Sequence, residues 1–455
     1  MEPLEIYTAK KEKLVVDFKK ILNTQSSVSL GKTSSNLFRQ RTLQRKKLNV
    51  RHFNHVLRVD TINNLVEVEG MTTYETLVSE TLKVGYMPAV VPELKTITVG
   101  GAASGIGIES SSFIYGLVHE TIEEIEMLLG DATVVLCTKT NEHKDLFFGF
   151  PNSYGSFGYA LKLKVKIIPV KKYVKLEHFH YTSSETYLKD FELFCKKYRK
   201  GNEVTFIEGI IFDEKNMYLT LGSFVDTAPF LSNYTYTQIY YTSLLKKKID
   251  YLSILDYIWR WDYDWFWCSK HFGMQNKFLR FFFGKLFLRS NYYWKIMALH
   301  RTYKLTEKIE KIFPSSFFSQ TVIQDVEIPL ENCATFLNFF NKEIGIKPVW
   351  VCPVKNYDKK VMYGLYPLDK DRLYLNFGFW DMIKTEKEYP AGYFDRLIEK
   401  KVKELNGKKS LYSTSFYSEE DFWKIYSKKT YDLLKKKYDP MNTFKNLYEK
   451  CVLRK

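Results

Sequence analysis

Residues 91–116 contain five glycines and four serines, and no other part of the chain is as rich in glycine. Glycine has no Cβ, so its backbone N–H can approach a ligand closely, and it tolerates positive φ, so that successive N–H groups can converge on one anion. We expect Thr98 and Val99 to end an extended segment and Gly100 and Gly101 to turn the chain. The pattern therefore predicts a loop that binds the diphosphate of a cofactor.

Two nucleotide-binding motifs are present only in part in this sequence. Gly105 and Gly107 could open a dinucleotide fingerprint, but its third glycine would fall at Ser110, and the following residues lack a helical apolar period. The GKT sequence at 31–33 has the end of a P-loop, but the glycine required five residues earlier is Ser26. Neither a Rossmann unit nor a P-loop ATPase is predicted, and a glycine-rich surface turn is the structural alternative.

A series of short motifs follows one order along the chain. They are PEL, TVGG, GIESSS and YGL within residues 92–117, DLF at 145–147, GSFG at 155–158, IIP at 167–169, VWVCP at 349–353 and EDFW at 420–423. In this order and spacing they resemble the sterol side-chain (delta-24) reductases, which belong to the vanillyl-alcohol-oxidase, or PCMH-type, FAD superfamily. The resemblance covers most of the sequence.

The resemblance implies an α+β fold. A PCMH-type FAD-binding domain of two α/β subdomains is expected to precede a second α+β domain, the substrate or cap domain, built on an antiparallel sheet. A protein of 455 residues is long enough for two domains. The composition changes after Pro169. We therefore expect the FAD-binding domain at 1–172, the cap domain at 173–435 and a segment that returns to the first domain at 436–455.

Periodicity in the sequence predicts several individual elements. An amphipathic helix is expected at 10–22, and a capping box of Thr72 and Glu75 is expected to start a helix that stops near Gly85. Hairpins are expected at 122–137 and 208–222. Strands of one antiparallel sheet are expected at 324–330, 348–353 and 373–378, with helices at 393–402 and 421–434.

The resemblance also implies which residues contact the flavin. The implied cofactor-binding residues are Gly31, Lys32, Thr33, Ser34, Ser35, Thr98, Val99, Gly100, Gly101, Ala102, Ala103, Ser104, Gly105, Ile106, Gly107, Ile108, Glu109, Ser110, Tyr115, Gly116, Gly155 and Gly158. Thr33 and Ile108 stand where relatives with covalent flavin can carry histidine, so the FAD is expected to be noncovalent. NADPH is the expected electron donor.

If the resemblance extends to the reaction, an isolated side-chain alkene receives a hydride from flavin N5 and a proton from a general acid, and both transfers need enforced geometry. The candidates for the acid or its support are Glu109, Tyr115, Tyr374 and Asn376. Asn376 stands where the reductases often have an acidic residue, so this sequence departs from the pattern at that position.

Two other functions fit the same residues. One is an FAD-linked oxidase or dehydrogenase of an alcohol, sugar or polyprenyl-linked sugar, and the other is a lipid-binding module without turnover. Metal and hydrolase sites are not predicted, because the eight histidines show no HxxxH or HExxH spacing and no GxSxG motif occurs. The six cysteines form no CxxC pair, which favours a reducing compartment.

Residues 259–295, which we call the tryptophan segment, combine four tryptophans within the first nine residues with seven cations, in a protein of net charge +16. The pattern suits a mobile cap over a substrate channel, a membrane interface, or stacking on single-stranded nucleic acid. We expect a cap with lipid access, an apolar sterol-like substrate, peripheral membrane contact and no nucleic acid.

No signal peptide or membrane-spanning run is expected, which predicts a protein on the cytoplasmic side, soluble or peripherally membrane-bound. The oligomeric state stays open.

Overall fold

The structure is a computed structural model that describes residues 2–24, 27–32, 38–39, 47–288, 290, 292, 295 and 317–455. Within these residues the protein forms a small two-stranded sheet, a six-stranded sheet and an eight-stranded sheet, with helices between and around them. The fold is α+β, as the sequence predicts.

The first two sheets contain the strands that precede Pro169. These strands are β1 (Ser29–Gly31), β2 (Lys47–Asn49), β3 (Val56–Asp60), β4 (Leu65–Glu69), β5 (Tyr86–Pro88), β6 (Ile122–Leu129), β7 (Val134–Thr138) and β8 (Gly158–Pro169). β1 and β2 pair in parallel. The six-stranded sheet has the order β3-β4-β8-β6-β7, with β5 also paired to β8. Alternating burial along β4 and β8 places Val66, Val68, Leu163 and Val165 in one core.

Among the described residues, five α-helices accompany these strands. They are Pro3–Leu22, Tyr74–Leu82, Val99–Ser104, Ser112–Tyr115 and Lys144–Gly149. The first begins seven residues earlier than the sequence predicts, with proline at its first position, where the missing N–H costs nothing. The second is capped by Thr73, whose hydroxyl accepts from the Thr76 N–H, so the predicted cap at Thr72 is wrong by one residue.

The eight-stranded sheet begins at Tyr173. Its strands are β9 (Tyr173–Tyr181), β10 (Phe206–Asp213), β11 (Asn216–Val225), β12 (Ile249–Ser253), β13 (Phe318–Pro329), β14 (Val349–Val354), β15 (Tyr374–Thr385) and β16 (Lys408–Lys409). All pairs are antiparallel, in the order β12-β9-β11-β10-β14-β15-β13-β16. The predicted hairpin at 208–222 is confirmed, and the three strands predicted between 324 and 378 are neighbours in this sheet. We call it the cap sheet.

The two faces of the cap sheet differ in chemistry. The outer face is apolar: Phe377 packs on Phe336 and Phe379 on Phe340, both from the helix Cys333–Glu343. The helices Ser184–Lys197 and Tyr393–Glu404 cover the same face. The inner face carries polar groups, and because side chains alternate along each strand, these groups line up across neighbouring strands. They are Glu208, Cys352, Asn376, Asp325 and Glu327.

The remaining helices are short. They are Tyr240–Ser243, Ile254–Ile258, Lys277–Phe287, Glu419–Ile425, Lys428–Tyr438 and Leu447–Cys451. The last part of the protein packs on residues that precede Pro169: Lys435 Nζ donates to Ser156 O at 2.8 Å, and the Tyr438 hydroxyl donates to Asp145 at 2.6 Å. The helix that makes these contacts begins at Lys428.

Candidate active site

The glycine-rich stretch folds differently from the sequence-based expectation at its start. Val99–Ser104 is a helix, and the Thr98 hydroxyl caps it by accepting from Gly101 N at 3.2 Å. The prediction that Gly100 and Gly101 turn the backbone is therefore wrong. A Cβ on Gly100 would lie 2.7 Å from Gly70 O, so this glycine lets the helix approach the segment just after β4. Ala102 and Ala103 are buried in the same contact.

The loop after this helix has the properties of a ligand cradle. The N–H groups of Ile106, Gly107 and Ile108 are consecutive, and none donates a hydrogen bond to another described residue. Gly107 and Ile108 are buried. Buried backbone N–H groups are rarely left unpaired. Two buried N–H groups without partners among the described residues, next to that of the partly exposed Ile106, therefore point to a ligand that accepts hydrogen bonds.

Three of the glycines predicted to bind the cofactor are required by the conformation or close packing of the backbone. Gly116 has φ of 74°, and the turn that it makes is fixed by Glu120, which accepts from Leu117 N at 2.9 Å. Gly155 has φ of 72° and its carbonyl accepts from Lys450 Nζ at 2.7 Å. A Cβ on Gly158 would lie 2.5 Å from Leu128 O in β6. Each glycine is explained by a close approach or a left-handed turn without reference to a ligand.

A second loop, residues 150–156, lies against the end of the capped helix. Tyr154 N donates to Ser104 O at 2.9 Å, and the Tyr154 ring lies 3.5 Å from the position of a Cβ on Gly105. Asn152 Nδ2 donates to Leu365 O at 2.9 Å, whereas its Oδ1 is buried and has no donor among the described residues. This oxygen is a second unfilled polar position beside the cradle.

The cofactor-binding residues expected at 31–35 are described only in part. Gly31 ends β1 and Lys32 follows it, but Thr33, Ser34 and Ser35 lie outside the described residues. The next described residue, Phe38, donates its N–H to Tyr412 O at 3.0 Å, and its ring lies 4.8 Å from that of Trp380 in β15. The segment that follows residues 31–35 therefore contacts the cap sheet.

Arg260 connects the glycine loop to the cap sheet. Its Nη2 donates to Glu109 Oε1 at 2.7 Å and to Glu208 Oε2 at 2.8 Å, and its Nε donates to Glu208 Oε1 at 3.0 Å. Trp261 and Trp350 also donate their indole N–H groups to Glu208. The backbone adds a direct link, because Ile207 N donates to Ser110 O at 2.8 Å.

The two carboxyls that share Arg260 have opposite pKa shifts. Burial alone raises the pKa of Glu208, but Arg260 and the hydrogen bonds from Trp350 and Tyr240 outweigh it and hold that pKa below its usual range. Burial raises the pKa of Glu109, and the charge of Arg260 opposes this only in part. Glu208 is therefore the ionised partner of Arg260, and Glu109 Oε2 has no donor within the described part of the structure.

Three further carboxyls complete what we call the acid cluster, which consists of Glu93, Glu109, Glu208, Asp325 and Glu327. Burial raises the pKa of Glu93 well above its usual value, and the nearby Glu109 and Asp325 raise it further. Burial also raises the pKa of Asp325, which accepts from Asn376 Nδ2 at 2.8 Å. Burial raises the pKa of Glu327 to about 8. Apart from Glu208, these groups hold protons more tightly than exposed carboxyls do.

The four candidates for proton transfer do not all lie together. Glu109 and Asn376 belong to the region of the acid cluster, and Asn376 Oδ1 is buried with no donor from any described residue. Tyr115 is half-buried, with Lys166 Nζ 5.7 Å from its ring centroid. The Tyr374 hydroxyl accepts from Asp369 N at 3.0 Å, at the end of β15. Neither of these contacts joins a tyrosine to the acid cluster, although Tyr374 lies two residues from Asn376 on the same face of β15.

The tryptophan segment is buried against the site. Trp265 and Trp267 are 2% and 0% exposed, and Trp267 Nε1 donates to Trp380 O at 2.9 Å. Arg280, from the helix Lys277–Phe287, pairs with Asp264 through two contacts, at 2.6 and 2.9 Å. The membrane-interface reading of this segment is therefore wrong for Trp265 and Trp267, because their indoles and the guanidinium groups of Arg260 and Arg280 are inside the protein.

Arg260, Glu208, Glu93, Asp325 and Glu327 were not predicted as site residues. A signal for two of them is present in the sequence: Glu208 and Glu327 are charges flanked by apolar residues in the strand segments FIEGIIF and VEIP, and a charge in a buried strand requires a partner or a raised pKa. Among the residues that the structure describes, no group of His, Cys, Asp and Glu is arranged to hold a metal ion. Among the same residues no helix is long and apolar enough to cross a bilayer.

Comparison with known sequences agrees with this geometry. Residues 7–138 match the family described as FAD binding domain. The delta(24)-sterol reductase of Homo sapiens is 27% identical over 415 residues, which cover 87% of this protein and 75% of that one. The delta(24)-sterol reductase of Arabidopsis thaliana is 23% identical over 431 residues, covering 88% and 75%. Cytokinin dehydrogenase 7 of Oryza sativa subsp. japonica is 27% identical over 168 residues, covering 37% of this protein and 31% of that one.

Proposed function

We propose that this protein, an FAD-dependent oxidoreductase similar to delta(24)-sterol reductases, reduces a carbon–carbon double bond in the side chain of a sterol or in an isoprenoid lipid, with NADPH as the electron donor. The observation that carries the proposal is the acid cluster on the inner face of the cap sheet. This cluster brings carboxyls whose pKa values are raised by burial beside the loop proposed to bind the flavin.

The residues of the glycine loop fit an FAD molecule. The consecutive N–H groups of Ile106, Gly107 and Ile108 would donate to its phosphate or carbonyl oxygens, and Asn152 Oδ1 would accept from it. Gly31, Lys32 and the helix from Thr98 to Ser104 would form the rest of the cradle. When bound, FAD supplies the hydride-transfer chemistry.

The protein side chains would supply the proton and the apolar surroundings. Reduction of an isolated alkene needs an acid that is protonated at neutral pH, and in the acid cluster burial raises the pKa of Glu327 to about 8. Trp261, Phe266 and Trp350 pack beside this cluster, with ring centroids 4.9 to 5.6 Å apart, and their planar surfaces suit an apolar substrate better than a free sugar.

The same carboxyls weigh against the oxidase alternative. Oxidation of an alcohol requires a base that is unprotonated near neutral pH, whereas the pKa values of Glu93, Glu109 and Glu327 are raised. The ionised carboxylate, Glu208, is already paired with Arg260. The assignment to the FAD-dependent oxidoreductases also leaves no reason to retain the lipid-binding module without turnover. The reductase is therefore the better supported function.

Noncovalent FAD is the first expected result. Ile108 cannot form a covalent bond to flavin, so the purified protein should be yellow and should release all its flavin on acid precipitation. The measurement is the absorbance of the supernatant compared with that of the pellet. Flavin that stays with the polypeptide would contradict noncovalent binding, and a protein that never takes up FAD would contradict the whole proposal.

Reoxidation of reduced flavin tests the substrate. The protein is reduced anaerobically with NADPH and mixed with a delta-24 sterol, and we expect faster recovery of flavin absorbance than with sugar lactones. The matched control is the same sterol with a saturated side chain, which has no bond to reduce and should leave the flavin reduced. Turnover of sugars or alcohols alone would favour the oxidase, and reduction by dithionite but not NADPH would remove only the proposed donor.

We also propose that the protein contacts membranes peripherally, but through a different surface from the one predicted. Phe278, Phe281 and Phe282 are 69%, 59% and 55% exposed on the helix Lys277–Phe287, and their rings contact one another. Arg280 anchors the other side of the helix to Asp264. Exposed aromatic rings on a protein of net charge +16 suit the interface of an anionic bilayer.

A further inference from the structure

Of the four residues that the sequence suggests for proton transfer, the one at the centre of the cap sheet cannot perform it. Asn376 is an amide, and its side chain lies in the buried interior. Its Nδ2 donates to Asp325, which fixes the orientation of the group, with Oδ1 directed away from that hydrogen bond and accepting from none of the described residues. A proton delivered at this place on the sheet has to come from another group, and carboxyls of the inner face are paired with or hydrogen-bonded to Asn376.

Glu327 is the residue paired with Asn376 across the β13–β15 ladder. Paired residues in an antiparallel ladder point to the same face, with Cβ atoms about 4.5–5.5 Å apart. The Glu327 carboxyl therefore lies on the inner face, beside Asn376. It is 0% exposed, and one of its oxygens, Oε1, has no hydrogen-bond donor among the described residues. The other oxygen accepts from the Tyr366 hydroxyl.

We propose that Glu327 is the general acid that protonates the substrate carbon as the alkene is reduced. The inference rests on the proposed reductase function and names a residue that performs one of its steps. Reduced FAD, when bound, would supply a hydride, with its two electrons, for one carbon of the double bond. The Glu327 O–H bond breaks, its proton forms the new C–H bond at the other carbon, and the carboxylate that remains takes up a proton before the next turnover.

The surroundings of Glu327 favour the protonated form of its carboxyl group. Burial raises its pKa to about 8, the nearby Asp325 adds to the effect, and the Tyr366 hydroxyl opposes it. The other groups that face it are the Ser410 hydroxyl, the phenols of Tyr154 and Tyr426, and Lys408, its partner on β16. Lys408 Nζ donates to Ile425 O at 3.3 Å, and burial lowers the pKa of this lysine. The acid is therefore protonated at neutral pH and loses its proton as the pH rises through about 8.

The test compares the wild-type protein with Glu327→Gln, both loaded with FAD and reduced with dithionite. Mixed with a delta-24 sterol, the wild type should reoxidise with a rate that falls above about pH 8. The variant should be slower by about 100-fold or more, because general acids contribute about 10²–10⁴-fold, and its rate should not follow that pH dependence. Flavin content and the rate of reduction by dithionite show whether the variant is folded.

A second variant and a second readout separate a catalytic from a structural role. Adding Asn376→Asp to Glu327→Gln moves the carboxyl across the ladder, and we expect it to restore most of the lost rate. Infrared difference spectra without substrate should show the loss of a carboxylic acid band as the pH rises through about 8, and this pH-dependent change should be missing in Glu327→Gln.

Each outcome is decisive. A wild type that reduces no alkene would overturn the reductase function and this inference together. An active wild type with an unchanged rate in Glu327→Gln would overturn the inference alone, as would the absence of this infrared change. If Glu93→Gln removes the dependence on pH while Glu327→Gln does not, the acid is Glu93.

Discussion

Replacing Arg260 by glutamine is expected to lower the free energy of unfolding by about 3–5 kcal/mol, because it leaves buried carboxyls without their cation. Arg260 is 2% exposed and is shared by Glu109 and Glu208. Urea titration at neutral pH is the measurement. The matched control is Arg372→Gln, which removes an arginine that is 42% exposed with partners at 3.3 and 3.4 Å. Such pairs contribute about 0–1 kcal/mol.

The decrease in the free energy of unfolding caused by Arg260→Gln should depend on pH. In the wild type the folded-state pKa of Glu208 is held below its usual value, so its contribution to stability is present above the unfolded-state pKa and is lost as the pH falls. Without Arg260 burial dominates, both carboxyls are protonated in the folded state, and stability falls as the pH rises. The difference between wild type and variant should therefore grow from about pH 5 to about pH 8.

The double variant with Glu208→Gln separates charge from packing. It removes the carboxylate that Arg260 neutralises, so it should be more stable at neutral pH than the sum of the two single losses implies. A loss below about 1 kcal/mol in Arg260→Gln, or strict additivity in the double variant, would contradict the proposed ion pair. Flavin content should fall in parallel with stability, since Glu109 belongs to the glycine loop.

The strands of the cap sheet could be predicted because their signal is local. Alternation along 324–330 and 373–378 depends only on side chains two residues apart, and a half-buried strand requires it. β13 and β15 are longer than these predictions, since their ends are defined by pairing with each other. The residues that pair across the ladder, such as Glu327 with Asn376, are far apart in sequence, and no short pattern relates them.

The helix Val99–Ser104 could not be predicted for a different reason. Its sequence, VGGAAS, contains two glycines, and each costs about 1 kcal/mol relative to alanine in a helix. What stabilises it is tertiary: Thr98 caps it, and Gly100 N donates to Gly70 O at 2.9 Å. The glycines that suggested a loop are the residues that allow this close packing.

The location of the tryptophan segment could not be predicted, because aromatic and cationic residues have the same pattern at a membrane surface as in a buried ion-paired core. The location is decided by the partners of the arginines. Arg260 forms ion pairs with Glu208 and Glu109, which lie outside the tryptophan segment, whereas Arg280 pairs with Asp264 within it. Asp264 is visible in the sequence, but its pairing with Arg280 depends on the turn at Trp265, which has φ of 50°.

Trp267→Ala should lower the free energy of unfolding by about 3–5 kcal/mol, as expected for truncation of a fully buried aromatic residue. The Trp267 ring is 0% exposed, packs 4.2 Å from that of Phe266 and bonds to Trp380 O. Thermal or urea unfolding measures the loss. Under conditions where the variant is still folded, its binding to anionic liposomes should equal that of the wild type, because the ring does not reach the surface.

The paired variant Phe281→Ser, Phe282→Ser should show the opposite result. Both rings are more than half exposed, and substitutions at such positions usually change stability by about 0.5 kcal/mol or less. A phenylalanine that moves fully from water into an apolar environment contributes about 1.5–3 kcal/mol. The loss of two phenylalanine rings should weaken binding to anionic liposomes at low salt, measured by co-sedimentation, by about tenfold or more. Ile62→Ser is the control, because Ile62 is 91% exposed outside the helix.

Liposome binding by Trp267→Ala and by Phe281→Ser, Phe282→Ser, with Ile62→Ser as the control, locates the surface that contacts the membrane. Loss of liposome binding in Phe281→Ser, Phe282→Ser with unchanged stability assigns the contact to the helix Lys277–Phe287, one side of which Arg280 holds to Asp264. Loss in the folded Trp267→Ala variant instead would mean that the tryptophan segment opens at the bilayer. Binding that all three variants retain, and that salt abolishes, would reduce the contact to the net positive charge, since screening weakens such attraction but not ring insertion.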